Sequence, residues 1–158
     1  MPDTPEGRFE MIALHTSLLL RRLRAMAGDG SELSQHVFDI FVTDMDTSMR
    51  EMGVGDLSVG KFVKRLAGNF YHRLKVMDDA LDSTGATALR PMLAKNVYGA
   101  TSSATSAQQD KLARYLCGQD AWLKQRSDAQ ILAADALFAV NPYSTAVQEG
   151  VDADAAPA

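Results

Sequence analysis

Apolar residues recur at every third or fourth position over most of the chain, which is the spacing of one face of an α-helix. The first such stretch opens at Pro5-Glu6 and ends at Gly28-Asp29-Gly30, where Asp29 or Ser31 would cap the next helix. The second stretch ends at Gly53. The predicted apolar faces of these two helices are Phe9, Ile12, Ala13, Thr16, Leu19, Leu20 and Leu23, and then Leu33, Val37, Ile40, Phe41, Ser48 and Met52.

A third periodic stretch follows Ser58, which suits the N-cap position, and ends at Gly85. Its predicted apolar face is Val59, Phe62, Val63, Leu66, Phe70, Leu74, Met77 and Leu81. Shorter helices are predicted around Ala86–Val97 with Pro91 near the start, around Ala107–Gln125 after a linker of small polar residues, and from Ser127-Asp128 through Leu137 and Phe138 to Asn141-Pro142. Leu112, Tyr115, Leu116, Trp122 and Leu123 would face inward in the fifth helix.

No segment shows the sustained alternation of a β-strand, so the sequence predicts an all-α fold. Residues 1–143 are expected to form a single-domain bundle of about five to six helices. Residues 144–158 offer almost nothing to bury, and we expect a disordered tail rich in alanine and acidic residues.

Composition narrows the class of protein. The net charge is −4, with three of the acidic residues in the tail, so the basic balance of a DNA- or RNA-binding domain is missing. The single Cys117 leaves no partner for an intrachain disulfide and fits a reducing compartment. No apolar run reaches the roughly 18 residues of a membrane span, so the expected location is the cytoplasm.

Two motifs are close to phosphate-handling signatures. Asp44-Met-Asp46 has the spacing of an aspartyl-phosphate phosphotransferase, but on a helix the two carboxylates project about 160° apart and cannot share one metal ion. The segment Gly55–Phe62 approaches a phosphate-binding loop but has Phe62 where the hydroxyl should be, and it follows a helix. His15, His36 and His72 lie in separate helices, so no catalytic residue and no metal site is predicted.

The turn between the second and third helices, which we call the corner (residues 44–57), is the most informative segment. The helical wheel puts Asp44 on the apolar stripe, where a carboxylate must be paired. We therefore expect Asp44 and Asp56 to pin the corner at Gly53 and Gly55 by binding the free amides of the third helix, the alternative being direct contact with a ligand.

Two surfaces on these helices could meet a partner. Phe38, Met45, Met49 and Met52 widen the apolar arc of the second helix, where they are either core residues or contacts for an apolar partner helix. A group of cationic residues lies opposite the apolar stripe of the third helix. This basic face, which is either a solvated surface or a contact for ribosomal RNA, lipid headgroups or an acidic protein, comprises Lys61, Lys64, Arg65, His72 and Lys75.

Several blocks resemble the ubiquinol–cytochrome c chaperone family, whose members assemble the respiratory cytochrome bc complex. They are Pro2–Thr4, Gly7–Ile12, Leu14-His15, Arg22-Leu23, Phe70–Arg73 and, above all, Asp44–Asp46 and Arg50–Leu57. The resemblance covers about Pro2 to Leu81, and a glycine often replaces His72 in the family. Relatives usually carry a helical segment before the first block, and its absence would leave apolar surface that favours a homo-oligomer.

The resemblance implies a non-enzymatic factor without a cofactor that shields newly made cytochrome b until insertion. It also implies a small co-chaperone or the ribosome as further partners, and peripheral contact with the inner membrane (on the matrix side in mitochondria). Asp46, Arg50 and Glu51 would orient the client, and Met45, Met49, Met52, Val54 and Leu57 would supply apolar contact. The remaining alternatives are a phosphotransfer enzyme, which would lose turnover in Asp44→Asn, and a helical adaptor unrelated to respiration.

Overall fold

Regular structure in the chain is helical wherever the computed structural model describes it, which is residues 5–51, 53, 55–98 and 105–140. Within these ranges there is no β-strand, and the predicted all-α fold is confirmed. The helices are α1 (Pro5–Arg24), α2 (Gly30–Glu51), α3 (Asp56–Asp82), α4 (Ala86–Asn96), α5 (Ser106–Gln125) and α6 (Asp128–Leu132).

The glycines that mark the predicted helix ends do so through their backbone conformation. Gly28, Gly53 and Gly85 have φ angles of 68°, 82° and 57°, which residues with a Cβ atom rarely adopt. Gly30 is needed for lack of space and not for its φ angle, since a Cβ atom there would collide with the Leu23 carbonyl oxygen and the Met26 side chain. The start of α2 therefore packs directly against the end of α1.

Two helix boundaries differ from the prediction. α3 begins at Asp56, because the Gly55 carbonyl oxygen already accepts the amides of Ser58 (2.8 Å) and Val59 (3.2 Å), so Ser58 is not the cap. α6 ends at Leu132 and does not reach Phe138. The predicted start of α6 at Ser127 is confirmed, since Ser127 is its N-cap, and the N-cap of α5 is Thr105 in the predicted linker. The boundary predicted at residue 143 lies outside the described residues.

The chain divides into two compact units, an N-terminal unit (Pro2–Asp79) and a C-terminal unit (Ala80–Ala158). The core of the N-terminal unit joins α1, α2 and α3 and consists of Ala13, Leu20, Phe38, Phe41, Met45, Phe70 and Leu74. Its centre is aromatic. The ring of Phe41 lies 6.3 Å from that of Phe9 and 5.0 Å from that of Phe70, and Phe38 lies 5.6 Å from Phe70 and 4.6 Å from Tyr71.

The buried stripe of α2 is rotated from the predicted one. Ser34, Phe38, Phe41 and Met45 are buried, whereas Ile40, predicted to face the core, is 69% exposed. Both stripes have helical spacing, because apolar residues lie on more than one side of this helix. The core interpretation of Phe38 and Met45 is therefore the one that the structure supports.

Ion pairs add to the packing of α1 on α3. Asp78 accepts hydrogen bonds from Arg21 (3.2 Å) and Arg24 (2.7 Å), and Arg73 donates to Glu10 at 2.6 Å. Burial raises the pKa of Glu10, although the hydrogen bond and the charge of Arg73 act in the opposite direction. The desolvation of this carboxylate therefore outweighs the benefit of its partner.

The C-terminal unit is built from shorter helices. Leu89 and Leu93 of α4 and Leu116 and Leu123 of α5 are almost completely buried, and Arg90 pairs with Asp110 between the two helices. The capping boxes at Thr105 and Ser127 satisfy backbone amides at the start of α5 and α6.

Candidate partner-binding corner

The corner is formed where α2 ends at Glu51 and α3 begins at Asp56. The amide of Gly53 donates to the carbonyl oxygen of Arg50 at 2.9 Å, which closes the last turn of α2. The positive φ of Gly53 then turns the chain, and Gly55 lies immediately before the first residue of α3. Glycine is required at Gly53 for its conformation, whereas a Cβ atom at Gly55 would meet only open space.

Asp44 does not pin this corner. It was predicted to lie in the buried stripe of α2, but its side chain is exposed. The physical reason is that the stripe runs through Met45, and the preceding residue lies about 100° away around the helix. Asp44 instead lies on the outward side of α2 near Ile40 and Thr47. The side chain of Asp56 is outside the described part, so its predicted role stays a prediction.

Asp46, Met49, Arg50 and Glu51 form the described surface at the end of α2. Arg50 donates from Nε to Asp46 at 2.6 Å, so the two charges neutralise each other one turn apart. Glu51 is exposed and Met49 is half-buried. Polar side chains therefore lie beside the accessible part of the Met49 side chain, as expected of a surface that binds a partner protein.

Met45 does not belong to that surface. Its side chain is 5% exposed and packs in the core of the N-terminal unit, so it is not accessible for the predicted client contact in this structure. Met52 and Val54 lie outside the described residues, as does the side chain of Leu57, and their predicted contacts stay predictions.

The basic face of α3 is accessible where the structure describes it. Lys61, Lys64, His72 and Lys75 are exposed, and the side chain of Arg65 lies outside the described part. Lys75 donates to Asp79 at 3.0 Å, an exposed pair that contributes little to stability. Tyr71, which the sequence prediction passed over, is 50% exposed and links this side of α3 to Phe38 in the core.

The described residues show little that could support covalent or metal chemistry. Among them, no three His, Cys, Asp or Glu side chains lie close enough together to hold a metal ion. Burial, with the negative charge of Asp120, raises the pKa of the Cys117 thiol, which disfavours the reactive thiolate. His15 bonds the Met11 carbonyl oxygen of its own helix at 2.7 Å. Over the same ranges, no helix is both long and apolar enough to cross a bilayer.

A polar group in the C-terminal unit was missed entirely by the sequence prediction. Gln119 is 0% exposed and binds the backbone of Ala139 through both ends of its amide. The available signal was its position in α5, since it falls on the same stripe as Leu116 and Leu123. A polar side chain on a buried stripe needs a partner, but the sequence did not show which one.

Comparison with known proteins places the chain in a family. The family profile described as Ubiquinol-cytochrome C chaperone matches residues 1–138. No curated protein matches at a significant level. The crystal structure of the Cbp3 homolog from Brucella abortus is 36% identical with a TM-score of 0.74, and the match covers 85% of this chain and 73% of that one. The profile and the shared fold agree over most of the chain, and the protein therefore belongs to the ubiquinol-cytochrome C chaperone family.

Proposed function

We propose that this protein is a non-enzymatic assembly factor for the ubiquinol–cytochrome c reductase, and that it binds newly made cytochrome b. The observation that carries the proposal is the family match over residues 1–138, supported by a similar fold at 36% identity. The mechanism is stoichiometric shielding, in which apolar surface of the chaperone covers a client segment until the client is inserted.

The proposed client contact lies at the corner. Met49 supplies apolar surface, and Asp46, Arg50 and Glu51 surround it with charged groups that can fix the register of a bound segment. Met52, Val54 and Leu57 extend the same contact in the proposal. Met45 is left out because it is committed to the core.

The basic face is proposed as a second contact, for an anionic partner. Lys61, Lys64 and His72 are exposed on α3, and their charge would attract acidic groups over a distance of about one Debye length. Since such contacts weaken with salt, binding through this face should fall as ionic strength rises, whereas apolar contact at the corner should not.

The test is a pulldown from respiring cells with the native chain and with the double variant Met49→Glu, Arg50→Glu. Partners are identified by mass spectrometry, and the helicity of each variant is measured by circular dichroism. We expect the native chain to recover cytochrome b and the folded variant to lose it, because two new carboxylates would have to be desolvated in the contact.

A matched control makes the same change in net charge at another place in the chain. Lys95→Glu with Ala107→Glu replaces one cation and one uncharged residue at exposed positions of α4 and α5. This control should retain cytochrome b. If cytochrome b is absent from every sample while other partners are recovered, the chain is a helical adaptor for another client. If all three proteins recover it equally, the corner is not the contact.

A further inference from the structure

Three hydrogen bonds to its backbone join the segment after α6 to α5. We call residues 133–140 the strap. α6 ends at Leu132, and the strap then returns to the side of α5 that carries Gln119 and Trp122. Both of these side chains form hydrogen bonds with main-chain atoms of the strap, so the site recognises the peptide backbone.

The side-chain amide of Gln119 forms two hydrogen bonds with the backbone of a single residue of the strap. Its Nε2 donates to the Ala139 carbonyl oxygen at 2.9 Å, and its Oε1 accepts the Ala139 amide at 2.8 Å. This is the pairing that a neighbouring β-strand would offer to an extended residue. Because the glutamine is 0% exposed, both ends of its amide need partners, and a bound peptide backbone supplies them.

Trp122 adds a third backbone contact one turn along α5. Its Nε1 donates to the Ala136 carbonyl oxygen at 3.0 Å. The guanidinium of Arg126 lies 3.8 Å from the centre of the indole ring and fixes its orientation. Gln119 and Trp122 thus bind residues three positions apart in the strap without using a side chain of either one.

The strap is a poor occupant of this site in two respects. Ala134 and Ala136 have φ angles of 53° and 47°, in the left-handed region that disfavours any residue with a Cβ atom. The side chains of Ala136 and Val140 are exposed, and those of Leu137 and Phe138 between them are only half-buried. An extended segment with larger apolar side chains could make the same backbone bonds without the conformational cost.

We propose that Gln119 and Trp122 form a binding site for an extended, apolar polypeptide segment, which the strap occupies in the same chain until a partner segment displaces it. Binding then couples to release of the strap. The inference goes beyond the proposed function, because it concerns a site on the C-terminal unit and holds whichever protein is the client.

The test uses a fluorescently labelled peptide with the sequence of residues 133–140, measured by polarisation against the full chain. Ala139→Pro removes the amide hydrogen that Gln119 accepts and should free the site. We expect this variant to bind the probe about tenfold more tightly than the native chain, since the competing strap is weakened by one buried hydrogen bond. Adding Gln119→Met, which is similar in size but has no amide, should abolish the gain.

Release of the strap has its own signal, because Trp122 is the only tryptophan of the chain. Its emission should change in Ala139→Pro. Unchanged emission, or a freed strap with no gain in probe binding, would overturn the proposal, as would a gain that survives Gln119→Met. A measurement on the native chain guards against misfolded variants: unlabelled peptide should shift the Trp122 emission, and the same peptide N-methylated at its Ala139 position should not. Equal effects of both peptides would also exclude the site.

Discussion

The two units of this protein are stabilised by different kinds of interaction. The N-terminal unit has an aromatic core, with the ring of Phe41 between those of Phe9 and Phe70, and ion pairs that join α1 to α3. The C-terminal unit relies on buried leucines, capping boxes and the Gln119 amide on the Ala139 backbone. Long helices in the first unit can bury rings against each other, whereas the short α6 and the strap depend on specific hydrogen bonds.

This difference has a consequence for function. In the N-terminal unit the proposed partner contact lies outside the core, at the end of α2, and can change without loss of packing. In the C-terminal unit the proposed peptide site is part of what holds the strap. Substitutions should therefore separate stability from binding in the first unit and couple them in the second.

The largest expected effect comes from the aromatic core. Phe41→Ala removes a buried ring that contacts two others and should lower the free energy of unfolding by about 3–5 kcal/mol. Ile40→Ala, next to it on α2 but on the exposed side, should change it by less than about 0.5 kcal/mol. Urea denaturation followed by circular dichroism measures both. Similar losses in the two variants would mean that the buried stripe of α2 is misassigned.

A smaller loss is expected from the polar clamp of the C-terminal unit. Gln119→Met keeps the volume but leaves the amide and carbonyl of Ala139 without their partner, which should cost about 1–3 kcal/mol. Hydrogen exchange should show the loss as faster exchange of the Ala139 amide, with the amides of α1 and α2 unchanged. Protection of Ala139 that persists in the variant would show that another group holds the strap.

The difference between the two units also explains which features the sequence could predict and which it could not. Gly28, Gly53 and Gly85 marked helix ends correctly because a positive φ favours glycine, and apolar periodicity was enough for the all-α fold. Periodicity could not choose between Phe38 and Ile40, since α2 carries apolar residues on several sides. Asp44 was misplaced for that reason.

The C-terminal unit shows a second limit, which comes from the chemistry of the contacts. A side chain that binds backbone atoms leaves no pattern in the sequence of its target, because every residue except proline presents the same groups. Ala139 therefore carried no sign of its bond to Gln119. Ala134 hid the end of α6 for a related reason, since alanine is a strong helix former and gives no stop signal.

Glu10 allows the ion pairs of the N-terminal unit to be tested by pH. Burial raises its pKa above the ordinary 4.5, so the folded state holds the proton more tightly than the unfolded state does. Its favourable contribution is complete below the ordinary pKa and is lost as pH rises through the raised value. Relative to the non-titrating variant Glu10→Gln, the native chain should therefore lose stability as pH rises from the ordinary pKa of 4.5 through the raised pKa of the folded state.

Arg73 sets the size of that loss, because its charge and hydrogen bond lower the pKa that burial raises. In Arg73→Met the pKa of Glu10 should rise further, and the loss of stability with pH should be larger and extend to higher pH. Denaturation curves for the two backgrounds, each with and without Glu10→Gln, measure this directly. A native chain that gains stability over the variant as pH rises would show that Arg73 outweighs burial.

The smallest expected effect is a gain in the C-terminal unit. Ala134 follows α6 with a φ of 53°, while the amide of Asp135 bonds back to the Gln130 carbonyl oxygen, which is the arrangement that usually has glycine at this position. Ala134→Gly should raise the free energy of unfolding by up to about 1 kcal/mol by removing the strain of the Cβ atom. The same replacement at Ala129, exposed inside α6, should lower it by about 1 kcal/mol, because glycine there only adds freedom to the unfolded chain. If these two identical substitutions, five residues apart, change the free energy of unfolding in opposite directions, the backbone conformation at Ala134, and not the alanine side chain, ends α6.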